Sequence, residues 1–107
     1  MIYKRFFNPR EFYDATFSLL SIHEVQNSIP LGNVIIGKKG GEEEGWRNPK
    51  NWYMSTVADT SGNVKLISIM TPPYNITMYE VNNIPCLEAL YCLCENLIKD
   101  NIKLPGV

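Results

Sequence analysis

The stretch that decides the fold is Trp52-Tyr53-Met54-Ser55-Thr56-Val57-Ala58, followed past Thr60-Ser61-Gly62-Asn63 by Val64-Lys65-Leu66-Ile67-Ser68-Ile69-Met70. The first run alternates in character, the second is more uniformly apolar, and the turn residues between them make the pair a β-hairpin. Thr71-Pro72-Pro73-Tyr74-Asn75 comes next and reads as a stiff extended turn, because each proline fixes its own φ and restrains the residue before it. A third strand, Ile76 to Glu80, then returns antiparallel.

Working outward, Asn83 is expected to cap a strong helix. Along it Leu87, Leu90, Tyr91, Cys94, Leu97 and Ile98 fall at i, i+3, i+4, i+7, i+10 and i+11, an apolar stripe that ends at Asp100-Asn101. Lys103 to Val107 looks like the start of one more strand. Upstream, Ile2 to Phe6 reads as a short strand and a helix follows to about His23. Asn8 is its N-cap, Pro9 its first residue, and Glu11 can reach back to the Asn8 amide. Phe7 and Phe12 are expected to form a hydrophobic staple, with Phe12, Thr16, Leu19, Leu20 and His23 on the buried face. Between Glu24 and Lys39 two readings compete. One is a short helix with Ser28 as cap, Pro30 in its first turn and Gly37 as its exit. The other is a strand through Val34-Ile35-Ile36. The helix is preferred.

The order is therefore β-α-α-β-β-β-α with the start of a β. This is an α+β domain with a mostly antiparallel sheet and one parallel crossover at its end. Its 107 residues form a single domain, 1–107. Residues 37–51, with four glycines, a basic pair and the Glu42-Glu43-Glu44 triple, read as an exposed loop that Trp46 could pin. The net charge of −1 offers no attraction for nucleic acid or anionic lipid. No apolar run approaches the ~20 residues of a membrane span. With three cysteines and an opening that turns polar too soon for a signal peptide, a cytoplasmic protein is expected.

The residues do not assemble an active site. Glu42 to Glu44 sit in a glycine-rich setting without calcium-loop spacing. Cys92 and Cys94 point to different sides of a helix, so they cannot share a metal, and Cys94 reads as core filling. His23 suits a helix C-terminus; a Cys94–His23 nucleophile pair is the remote alternative. No phosphate-cradling glycine motif occurs.

Three elements do carry a resemblance. They are Phe7-Asn8-Pro9-Arg10-Glu11-Phe12-Tyr13 with Leu19-Leu20 and Glu24-x-x-Asn27, then Ile69-Met70-Thr71-Pro72-Pro73-Tyr74-Asn75, and finally Asn101-Ile102-Lys103-Leu104-Pro105-Gly106-Val107. In this order they resemble the N-terminal, degenerate GNAT-like region of a bacterial group of GNAT-superfamily acetyltransferases. The resemblance implies a partial GNAT fold and a longer parent that transfers acetyl from acetyl-CoA to an amine. It also implies a catalytic GNAT domain as partner. The superfamily's pyrophosphate loop corresponds here to Glu80-Val81-Asn82-Asn83-Ile84-Pro85, which has no glycine, no basic residue and a glutamate of the wrong sign. No cofactor site and no catalytic residue are therefore expected in this chain. Thr71, Pro72, Pro73, Tyr74 and Asn75 are the candidates for a substrate cleft or a domain contact, although two prolines also stiffen a turn for structural reasons alone. Glu24 and Asn27 are expected to hydrogen-bond a neighbouring loop. The alternative function is a free-standing interaction module that self-associates through an open sheet edge.

Overall fold

In the computed structural model, residues 1–39, 51–72 and 74–104 are described. The elements in chain order are β1 (Ile2–Phe6), α1 (Pro9–Ser21), α2 (Ser28–Lys39), β2 (Tyr53–Ala58), β3 (Val64–Met70), β4 (Thr77–Glu80), a 3₁₀ turn (Val81–Asn83) and α3 (Leu87–Lys99). The four strands make one antiparallel sheet in the order β1-β2-β3-β4. The α+β class and the strand and helix order are those read from the sequence.

Alternation along the strands divides the side chains between two faces. Phe6, Trp52, Met54, Ile67, Ile69 and Tyr79 meet Phe12 and Leu20 of α1, with Leu31 of α2 packed against them. Tyr53, Val57, Leu66 and Met70 meet Ala89 and Leu93 of α3 on the other face. Ser55 and Ser68 are directly paired in the register, buried, and hydrogen-bonded to each other through their hydroxyls. The register shifts between Val57 and Ala58, so Leu66 opposes Val57, Val64 opposes Ala58, and Lys65 is the extra residue. This bulge returns Val64 to the α1 face although it lies two residues from Leu66.

The hairpin turn is held by Asp59, whose Oδ1 accepts the amides of Ser61 and Asn63 at 2.9 and 3.0 Å. The Asn63 amide is the chief reason that the Asp59 carboxyl lies below its usual range, and Lys65 adds to it. Gly62 adopts φ +90°, which a side chain would strain.

Asn8 caps α1 as expected, its Oδ1 accepting Arg10 N–H at 2.9 Å and Glu11 N–H at 3.4 Å, whereas the return bond from the Glu11 carboxylate to the Asn8 amide is not formed. The staple differs. Phe7 is 76 % exposed, under the Arg5 guanidinium, and Phe6 instead meets Phe12 edge-on at 5.3 Å. Strand alternation turns Phe6 inward and therefore leaves Phe7 outside. The helix ends at Ser21, two residues early. The buried Asn27 accounts for this: its side-chain amide donates to the Leu20 carbonyl at 3.0 Å and so satisfies a helix-end acceptor. Glu24 is exposed. The segment after it is the helical alternative, but Ser28 is its first residue rather than its cap, and the helix runs past Gly37 to Lys39. Of the expected loop 37–51, residues 40–50, including Glu42 to Glu44 and Trp46, lie outside the described residues.

Two expectations about α3 are corrected. Asn83 does not cap it; Pro85 holds Ile84 extended, so the helix begins at Leu87 behind Cys86. The buried face is also not the expected stripe. Ala89 and Leu93 are fully buried, with Cys86, Cys92 and Leu97 beside them, while Leu87, Tyr91, Cys94 and Ile98 face outward. Cys94 is thus exposed rather than core filling. The helix ends with Asn101 at φ +54°. Asn101 N–H bonds the Ile98 carbonyl and Ile102 N–H the Leu97 carbonyl, the Schellman arrangement with asparagine in the usual glycine place. Ile102 and Leu104 pack beneath α3, and the last three residues of the expected final strand lie outside the described residues.

At the β1–β2 edge the Tyr3 and Tyr53 hydroxyls hydrogen-bond at 2.6 Å. Burial first, and this bond second, hold the Tyr3 phenol well above its ordinary value. A raised folded-state pKa stabilises fully below the unfolded value of about 10 and is lost as the pH rises beyond it. Stability is thus expected to fall from about pH 10 upward in urea titrations across pH, and Tyr3→Phe should flatten that slope. An unchanged slope in Tyr3→Phe would contradict the assignment.

Candidate functional site

A groove of about 480 Å³ lies at the end of the sheet where β3 leaves and β4 enters. That volume is within the range of small-molecule sites. Helix α2 contributes Ile29 and Asn33, one turn apart. The sheet contributes Ile69 and Thr77, and the segment between them adds Thr71, Tyr74, Asn75 and Ile76. The turn is closed by a hydrogen bond from Tyr74 N–H to the Thr71 carbonyl at 3.0 Å, with Pro72 at the position where its fixed φ suits a turn. Thr71 is buried, Pro72 half-buried, and Tyr74 and Asn75 exposed.

The structure therefore brings three of the five sequence candidates, Thr71, Tyr74 and Asn75, to one groove. Pro72 supports the turn without lining it, and Pro73 lies outside the described residues. Sequence reading missed Ile29 and Asn33, since nothing in α2 signals which of its residues will face a turn about forty positions later. Chemically the lining offers hydroxyls and carboxamides on an aliphatic floor. Its described residues include no carboxylate, histidine, cysteine or lysine, so this set can orient a polar ligand but supplies no general base at neutral pH.

The other candidates disperse. His23 Nδ1 is hydrogen-bonded to the Tyr79 hydroxyl at 2.7 Å on the α1 face, whereas Cys94 points outward from α3 on the opposite face. The structure does not bring the two together. The segment that the family resemblance would set at the pyrophosphate loop, Glu80 to Pro85, holds Asn82 and Asn83 at φ 58° and 55°. Two of its amides bond within the chain: Asn82 N–H donates to the Tyr79 hydroxyl at 3.1 Å and Ile84 N–H to the Val81 carbonyl at 3.2 Å. Gln26 Nε2 donates to Asn83 Oδ1 at 2.9 Å and ties this segment to the α1–α2 turn. Among the described residues no group of histidine, cysteine and carboxylate side chains is placed to hold a metal. No described helix is long and apolar enough to cross a membrane. No family model, curated protein or solved structure matches the chain.

Proposed function

We propose that this chain is the non-catalytic N-terminal domain of a cytoplasmic GNAT-type acetyltransferase. In this reading its Thr71–Asn75 groove frames the acceptor amine, while a separate catalytic GNAT domain binds acetyl-CoA. The observation that carries the proposal is the convergence of Thr71, Tyr74 and Asn75 on one groove with Ile29 and Asn33. Those three residues belong to the segment with the most specific family resemblance. The β-α-α-β-β-β-α order supports the same reading. The three free cysteines suit a reducing compartment.

The lining hydroxyl and carboxamide oxygens can accept hydrogen bonds from an ammonium group, and Ile29, Ile69 and Ile76 can cover an aliphatic chain. A small amine with a short apolar body is therefore the expected occupant. The test is an amide chemical-shift titration of isotope-labelled protein with a panel of small amines and, separately, with acetyl-CoA. Amines are expected to shift Asn33, Thr71, Tyr74 and Asn75, and acetyl-CoA to shift nothing. Micromolar binding of acetyl-CoA by this chain, or amine shifts that avoid the groove, would overturn the proposal.

A further inference from the structure

Arg5 is a cation without an anion. It has the parity of Tyr3, projects from β1 on the α3 side of the sheet, and is half-buried. Its guanidinium carbon lies 4.7 Å from the centre of the Phe7 ring and 5.2 Å from that of Tyr53. Such π faces offset part of a positive charge but offer none of the lone pairs that N–H groups donate to. Arg5 Nε is the one buried side-chain nitrogen or oxygen without a hydrogen-bond partner among the described residues. The guanidinium has no ion-pair partner among them either. A second donor stands close by, since the Tyr3 phenol feels the Arg5 charge. The Tyr3 and Tyr53 hydroxyls bond each other, and only one hydrogen can lie between two oxygens, so the other O–H is left to donate outward.

We infer that Arg5 and the Tyr3–Tyr53 pair bind a carboxylate carried on an apolar body. With Nε enclosed, the two Nη groups are the open end of the guanidinium, a fork whose spacing matches the two oxygens of a carboxylate. The outward phenol O–H adds a further donor to one of them. A phosphate dianion asks for more positive charge than this site holds. Lys4 has the opposite parity, with its ammonium 4.7 Å from the centre of the Phe6 ring, and Asp100 at the end of α3 lies near enough to act on Tyr3 with a negative charge. Phe7, largely in solvent beside the guanidinium, gives the body of the ligand an apolar wall. The site is on the other side of the sheet from α1 and does not depend on the acetyltransferase reading, which stands or falls on the groove.

The test is an NMR titration of the isotope-labelled full chain, following the Arg5 Nε–H signal and the backbone amides. The probes are benzoate, acetate, inorganic phosphate, and a short peptide ending in phenylalanine with a free or an amidated terminus. Saturable shifts at Arg5, Phe7 and Tyr53 are expected with benzoate, about fivefold tighter than with acetate, and phosphate should bind more weakly than either. A free-terminus peptide that binds about tenfold tighter than benzoate, and loses this on amidation, identifies a polypeptide terminus as the source. Comparable or weaker peptide binding identifies a free organic acid. Arg5→Lys keeps the charge but not the fork and should weaken benzoate about fivefold. Phe7→Ala, at an exposed position, should remove the advantage of benzoate over acetate and leave distant amides unshifted. The absence of a saturable shift with benzoate overturns the inference. So does phosphate binding as tight as benzoate, or an Arg5→Lys chain that binds benzoate as well as the unaltered protein.

Discussion

Leu93→Ala is expected to destabilise the fold by ~3 kcal/mol, while Leu87→Ala on the same helix should change it by no more than ~0.5 kcal/mol. Leu93 is fully buried against Tyr53, Val57, Leu66 and Met70, so its truncation removes apolar contact and leaves a void that a packed sheet closes only in part. Leu87 is largely in solvent and loses little. Urea unfolding measures both. Equal costs for the two leucines would mean that α3 is rotated about its axis from the placement described.

The second large effect concerns one hydroxyl. Tyr79→Phe keeps the buried ring but removes the oxygen that accepts Asn82 N–H and pairs with His23 Nδ1. It should cost ~2 kcal/mol, because the two groups it leaves behind are partly buried and lose their partner together. Its unfolding midpoint in urea should drop at an unchanged slope. A midpoint equal to that of the unaltered protein would show that the hydroxyl does not hold the 3₁₀ turn in place.

The hairpin was legible because strand period and turn chemistry agree across Tyr53 to Met70. The α1 start was legible because Asn8 and Pro9 act locally. The face of α3 was not. Periodicity shows that a stripe exists, and this helix carries two. The bulkier one reads as the buried face, but the sheet beneath already holds Tyr53, Leu66 and Met70, and it takes Ala89 and Leu93 instead. Phe7 and Phe6 differ only in parity, and parity is set by pairing with β2, about fifty residues away. The groove was half legible. The stiffness of Thr71 to Asn75 is written in its prolines, whereas the opposing Ile29 and Asn33 are placed by helix packing that no local pattern encodes.

The sheet separates two clusters with no residue in common, one under α1 and one under α3. Energetically this makes the faces nearly independent compartments. Leu93 and Tyr79 lie on opposite sides and share no partner among the contacts described above, so in a double variant their costs should sum to within ~0.5 kcal/mol. The groove is where the two compartments meet: Ile69 in its lining belongs to the cluster under α1 and Ile76 packs against the cluster under α3, so a substitution at either is felt on its own side of the sheet and at the groove alike.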